Sequence, residues 1–384
     1  MRNPKFLVFF SIILILYASI NYYILHRGLS LIEKGSPWRT LLTICIVVFA
    51  ALFIAGRFLE RRMINPFSAT VVWVGAFWLA FMVYILLQLI LIDFVGLLDH
   101  WFQFLPSFVH THPAATRKIL GIAVIVISSV VVVAGHINTW FPKIKNLDLT
   151  IHKKAGNLKE LNIVAFSDVH LGTLIEKRHL AGIIKRVNAL KPDIILIAGD
   201  IIDEDINPVI RSNVGETLKM LQAKYGVYAV TGNHEYIGGV VKAKDYLTNH
   251  GIRLLSDTAV LIDHSFYVAG REDLMKNQSA YKRKPLMAIT ESLQKELPLI
   301  LMDHQPFRLE QAAENGVDLQ LSGHTHHGQL WPFNYITSLV YEKSYGYLRK
   351  GNTHYYVSCG VGGWGPPIRT VSRPEILNIK LHFD

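Results

Sequence analysis

Charge-free apolar stretches dominate the first 140 or so residues, and short apolar runs alternating with polar helical patterns fill the rest. Four long stretches lack Asp, Glu, Lys and Arg. One runs from Phe6 to the edge of Arg27, and the others lie between Arg39 and Arg57, Arg62 and Asp93, and Lys118 and Lys143. A helix needs about 20 mainly apolar residues to cross the hydrocarbon core of a bilayer. The pattern therefore predicts four transmembrane helices near 6–26, 40–56, 68–92 and 119–139. The first could be read as a cleaved signal peptide. Its apolar region is too long for that, and Tyr17, Tyr22 and Tyr23 stand where small cleavage-site residues belong.

The texture changes after Phe141-Pro142. Residues 146–152 alternate like a half-buried strand. Short apolar runs follow at 161–166, 193–199, 226–232, 298–302, 317–323, 355–360 and 376–381, with a helical pattern over roughly 176–190. Strands alternating with helices predict an α/β domain. The expected organisation is a transmembrane domain over 1–142 and an α/β domain over 143–384.

Composition sharpens this division. The chain has 384 residues, 51% of them hydrophobic and 18% charged, with a mean hydropathy of +0.29. A soluble domain carries about a quarter charged residues. Of the net charge of +10, +7 lies in residues 1–150, from 12 Lys/Arg against 5 Asp/Glu. Basic loops flanking membrane spans give this pattern, so no nucleic-acid partner is expected. Arg2, Lys5, Arg57, Arg61, Arg62, Lys143 and Lys145 would lie on one side, and Arg27, Lys34, Arg39, Arg117 and Lys118 on the other. Seven against five places both termini, and with them the α/β domain, on the cytoplasmic side of a plasma or inner membrane. Cys45 and Cys359 imply no disulfide framework. His100, His110 and His112 in the loop from Asp93 to Lys118 lack a ligand-spaced carboxylate and read as solvated side chains at an interface.

The candidate chemistry sits at strand ends, where open α/β sheets gather their ligands. The runs end in Ser167-Asp168-Val169-His170, in Gly199-Asp200 with Asp203 beyond, in Gly232-Asn233-His234-Glu235, in Asp303-His304 and in Gly323-His324-Thr325-His326. Each alone is commonplace. Five successive strand ends offering Asp, Asn and His point to a metal site. Oxygen and imidazole donors without thiolates suit Mn, Fe or Zn. An Asp can bridge two ions, and two ions can clamp the attacking and leaving oxygens of a phosphoryl transfer.

This series, DVH, GDIID, GNHE, DH and GHTH, resembles the calcineurin-like metallophosphoesterase superfamily, over residues 158–384 and in the family's order. The tail, His327-Gly328-Gln329 with Gly360–Pro367 and Arg373-Pro374-Glu375, is similar to a membrane-associated bacterial branch of UDP-diacylglucosamine pyrophosphatase-like enzymes and related phosphodiesterases. That branch usually carries Gly where His327 stands. The resemblance implies a four-layer αββα sandwich. It implies one ion on Asp168, His170 and His326, a second on Asn233, His304 and His324, and Asp200 bridging both. It also implies that His234 protonates the leaving group and that Asp203 orients it. A bridging hydroxide would then attack a phosphoester or pyrophosphate.

Membrane tethering makes a lipid-linked phosphate the natural substrate expectation. A phosphodiesterase on soluble substrates such as cyclic nucleotides, with the spans only an anchor, is the alternative. A metal-binding scaffold without activity would need no leaving-group acid, and a transporter would need ionisable residues inside its spans. Arg369 and Arg373 are candidates for a second phosphate or else solvated surface. His327 is a candidate substrate contact. Gly362, Gly363, Trp364 and Gly365 form either a substrate lip or a plain turn.

Overall fold

The computed structural model describes residues 4–278 and 282–384. Arg2, counted above for orientation, lies outside them. The chain packs as two units, divided between Ala134 and Gly135.

The first unit is helical: α1 (Pro4–Leu29), α2 (Pro37–Glu60), α3 (Pro66–Phe102), the short α4 (Ser107–Thr111) and α5 (Pro113–Thr139), whose last turn belongs to the second unit. α1, α2, α3 and α5 are each long and apolar enough to cross a membrane. Local chemistry sets their starts. Ser36 caps α2 ahead of Pro37, and Asn65 and Ser68 form a reciprocal capping box around Pro66. Proline at the first helical position loses no hydrogen bond.

The third helix extends past the stretch in which a span was expected. It does not stop at 92 but runs 37 residues to Phe102. Asp93 breaks nothing because it is paired: Arg27 Nη2 lies 2.7 Å from its Oδ1, and the Tyr23 hydroxyl donates to Oδ2 at 2.5 Å. α2 and α3 cross closely at Gly75, where a Cβ would come within 2.6 Å of the Phe53 Cα. His110 meets Asp99 at 3.4 Å, and Asp99 also accepts from the Leu105 amide.

The second unit opens with β1 (Lys143–Ile151), β2 (Glu160–Phe166), α6 (Lys177–Ala189), β3 (Ile194–Ala198), α7 (Asn207–Arg211), α8 (Gly215–Leu218), β4 (Val227–Val230), α9 (Asn233–Gly238) and α10 (Val240–Asn249). It continues with β5 (Arg253–Leu254), β6 (Thr258–Ile262), β7 (Phe266–Gly270), α11 (Leu286–Thr290), β8 (Leu299–Met302), α12 (Glu310–Glu314), β9 (Leu319–Ser322), α13 (Phe333–Val340), β10 (Gly346–Lys350), β11 (Thr353–Val357) and β12 (Glu375–Phe383). Two six-stranded sheets result, in the orders β1-β12-β2-β3-β4-β5 and β10-β11-β9-β8-β7-β6. β2, β3, β4 and β5 run parallel, as do β7, β8, β9 and β11; β12 pairs antiparallel to β2 and parallel to β1.

Packing defines four layers. Ile163, Leu196, Val230, Val268, Ile300 and Leu321 meet between the sheets. Ile195, Ile197 and Val164 face the other way, onto Leu180, Ile184 and Val187 of α6 and Leu247 of α10. Ala269 and Leu301 back onto Ile289 of α11 and Ala312 of α12. Strands buried on both faces read as continuous apolar runs, which is why IILIA and LILM carry no alternation. The expected αββα sandwich is this arrangement.

Candidate metal centre

The backbone at the strand ends is bent in an unusual way. Asp168 and His170 after β2, Asp200 after β3, and His324 and His326 after β9 all have positive φ, between 46° and 73°. Left-handed backbone in residues with a Cβ is uncommon and concentrates where a site demands it. Here it turns each side chain off its strand and into one rim. Glycines make room. A Cβ on Gly232 would overlap Asp200 Oδ1, and one on Gly323 would overlap Asp168 Oδ2.

Three groups of potential ligands form among the described residues, each with its donor atoms within 4.8 Å of one another. The first is Asp168, His170 and His326. The Nε2 atoms of His170 and His326 stand 3.0 Å apart, at 4.0 and 3.6 Å from Asp168 Oδ1. The second is Asp200, His304 and His324, joined by Asn233. Asn233 Oδ1 lies 3.2 Å from His304 Nε2 and 2.7 Å from His324 Nδ1. Asp200 Oδ2 reaches both groups, at 3.1 Å from His304 Nε2 and 3.9 Å from His170 Nε2. The seven residues expected as ligands are thus brought together.

The electrostatics fit a cation. His304 donates from Nδ1 to the Ala198 carbonyl at 2.7 Å, so Nε2 faces the oxygens of Asp200 and Asn233. An unprotonated Nε2 there sets three lone-pair-bearing atoms against one another, an arrangement that a divalent ion relieves. Without one, burial would lower the His304 pKa, but the Asp200 carboxylate outweighs burial and holds it well above its usual value. Burial likewise works against Asp200, yet the neighbouring His304 keeps this carboxylate ionised well below the usual range. Burial pushes Asp168 up, and takes His324 down to about 3. Among the described residues His170 Nδ1 has no hydrogen-bond partner, and Asp203 Oδ1 lies 3.7 Å from it.

The third group is His170, Asp203 and His234. His234 Nδ1 and Asp203 Oδ1 are 3.0 Å apart, and the His234 amide donates to Asp200 Oδ1. Burial would lower the His234 pKa; the Asp203 hydrogen bond and the charge of Asp200 reverse this and push it up to about 9. The ring stands edge-on to His170 and to Trp364, at 4.6 and 5.8 Å between centroids.

Supporting residues went partly unread in the sequence. Buried Glu235 accepts from the amides of Ile202 and Gly232, tying two strand-end loops together. Its place in GNHE was visible, but not its partner 33 residues away. Asp303 binds Arg271 and Arg283 behind His304. Of the basic run Lys282-Arg283-Lys284, Arg283 is half-buried and spoken for by Asp303, while the two lysines are exposed.

Arg369 is a correction. It is neither solvated surface nor a free fork for a phosphate, since it is 1% exposed. Its guanidinium donates to the Gly362 and Cys359 carbonyls, to Ser372 Oγ and to His326 Nδ1. It fixes the plane of the His326 ring. Arg373 is exposed and donates to the Phe141 carbonyl. His327 is half-buried, lies near Ser344 Oγ and stacks on Tyr345. Trp364 is held by its carbonyl and amide to the Gln329 side chain, so the glycine-rich segment around it is anchored rather than free.

A two-sheet α/β sandwich with Asp, Asn and His converging at its strand ends is the frame of a metal-dependent hydrolase. Comparison with known proteins narrows the class. Residues 161–328 match the family described as calcineurin-like phosphoesterase. An uncharacterized metallophosphoesterase of Campylobacter jejuni is 31% identical over 382 residues, 98% of each chain. A transmembrane protein with metallophosphoesterase domain from Danio rerio is 32% identical over 274 residues, covering 67% of this chain and 61% of that protein. Among solved structures, the NAD nucleotidase of Haemophilus influenzae aligns over 53% of this chain and 45% of that one, at 17% identity and a TM-score of 0.36. The chain belongs to the calcineurin-like metallophosphoesterases and is a phosphoester hydrolase.

Proposed function

We propose that the protein hydrolyses a lipid-linked phosphodiester or pyrophosphate at a binuclear centre, from a multi-pass membrane position with the second unit in the cytoplasm. The observation that carries the reading is the pair of ligand groups that Asp200 reaches, with His234 held against Asp203 beside them. Asp168, His170 and His326 would hold one ion; Asn233, His304 and His324 the other; Asp200 both. When bound, Mn, Fe or Zn ions supply positive charge opposite the phosphoryl oxygens and make hydroxide available at neutral pH.

The residues of the chain do the rest. Asp203 accepts from His234 Nδ1–H, which fixes the tautomer and leaves the Nε2 proton as the one to donate to the departing oxygen. Asp203 and Asp200 keep that proton on the ring at neutral pH. Trp364, edge-on to His234, shields one side of it from water. The apolar helices in the same chain support a substrate presented by a bilayer.

The test uses purified full-length protein, a soluble bis-aryl phosphodiester and added Mn. Wild type turns over, His234→Ala loses rate by about 10²-fold or more while keeping its metal, and Asp200→Ala loses metal by elemental analysis. Equal metal loss in both variants would overturn the assignment of roles.

A further inference from the structure

An apolar surface lies beside the centre with nothing covering it among the described residues. α13 is built inside out. Its polar Asn334 and Thr337 are the half-buried positions, whereas Tyr335, Ile336, Leu339 and Val340 are exposed, Leu339 to 87%. Trp331, just ahead of the helix, and Trp364 are each half exposed. Scattered exposed apolar residues are ordinary, but a contiguous aromatic and aliphatic helix face marks an interaction surface.

Its place in the fold indicates what covers it. The Trp331 amide donates to Thr370 Oγ1, and the Gln329 side chain holds the carbonyls of Trp364 and Pro366. The same segment, 366–372, is bonded to the last turn of α5. The Arg369 amide donates to the Gly135 carbonyl, Asn138 Nδ2 donates to the Arg369 carbonyl, and His136 Nδ1 lies 2.8 Å from the Pro367 carbonyl. α5 is long and apolar enough to cross a membrane and ends at Thr139. The exposed apolar face is thus one hydrogen-bonded segment away from the end of a membrane-length helix. Trp140 follows, with Arg178 over its ring, and Arg373 is bonded to Phe141. Aromatic and basic side chains together are the composition of a membrane–water interface.

We propose that the outward face of α13, with Trp331 and Trp364, seats in the lipid surface and holds the metal centre at headgroup depth. The inference rests on the membrane reading above and adds to it. Contact with the bilayer reaches beyond the four long helices to a helix of the catalytic unit itself. Trp364, half exposed, also stands edge-on to His234, so the surface proposed to meet lipid reaches the rim of the metal centre.

The experiment places a nitroxide label at Leu339→Cys in full-length Cys45→Ala protein, reconstituted in liposomes of zwitterionic and anionic phospholipid. Cys359 is fully buried and stays unlabelled. A label at exposed Glu296→Cys is the control. The expected result is relaxation of the 339 label by lipid-soluble oxygen and not by a water-soluble nickel chelate, with the reverse at 296. Equal nickel access at both sites overturns the proposal. So does dipolar broadening between 339 labels on two copies, which would make the occupant a second chain. A kinetic arm uses Ile336→Glu/Leu339→Glu. KM for a bilayer-borne alkyl aryl phosphodiester should rise about tenfold, with the soluble diester unchanged within about twofold. Unchanged kinetics on both diesters also overturns the proposal. Loss of both activities in wild type would instead sink the hydrolytic reading, while the depth measurement would stand apart from it.

Discussion

His234 and Asp203 show how little chemistry a residue carries alone. Each is an ordinary side chain, and 31 residues separate them in the chain. The turn after β3 and the start of α9 bring them to 3.0 Å, and the proton becomes firmly held. This makes a pH prediction. A general acid works while protonated, so the rate limb assigned to His234 falls as pH rises through its pKa, about 9 with no ion bound. Asp203→Asn removes the charge that keeps the pKa high, so the alkaline limb should move to lower pH. Bound dications pull both limbs down, and the test is therefore the difference between wild type and variant in a pH–rate profile. An unmoved limb would assign it to another group. At this scale the sequence was informative about ligands, because Asp, Asn and His at strand ends are visible as text. It misled on Arg369, expected as a phosphate contact or solvated surface, because its burial depends on partners as distant as His326.

Elements were legible where an apolar run ended in a polar, glycine-bearing or acidic turn. The runs at 161–166 and 193–199 are β2 and β3, and the helical pattern near 176–190 is α6. β5, β6, β7 and β10 went unread. β5 is two residues, and β10 pairs along one side only, so neither imposes a strong apolar pattern. β6 and β7 form an antiparallel pair around Asp263 and His264, both at positive φ, a turn without the Asn-Gly or Asp-Gly signature. α3 runs on past Asp93, whose pairing with Arg27 no local pattern reveals. Its crossing with α2 offers a second prediction. Gly75→Leu should force the two helices apart and destabilise the protein by about 1–3 kcal/mol. The check is a lower thermal midpoint in detergent with unchanged kcat for the folded fraction. An unaltered midpoint would mean that the crossing is not close in solution.

At the scale of the molecule, strain and charge at the rim predict that a bound ion contributes to the stability. Five ligand residues sit in left-handed backbone, and acidic and imidazole lone pairs converge in a buried space. Ions that bind only the folded chain stabilise it, by about 2.7 kcal/mol at a hundred times Kd. For a unit of this size that is roughly 5–10 °C. Stripping with a chelator should lower the midpoint by this order, and added Mn should restore it. Asp200→Ala protein should show no Mn-dependent shift. A shift that survives in that variant would place the stabilising ion elsewhere. The apolar stretches and the charge distribution led to an expected division after residue 142, whereas the structure's units divide between Ala134 and Gly135 and α5's last turn fits onto residues 366–372, which no pattern revealed.

The position of β12 has a consequence for biogenesis. The last strand of the chain lies between β1 and β2, the first two strands of its sheet. Until Glu375–Phe383 has been made and released, that sheet has a gap and β1 lacks its partner strand. The long apolar helices have by then been synthesised for well over 200 residues. Closure of the second unit therefore waits for β12, and a nascent chain stalled before Glu375 should have that unit open to protease.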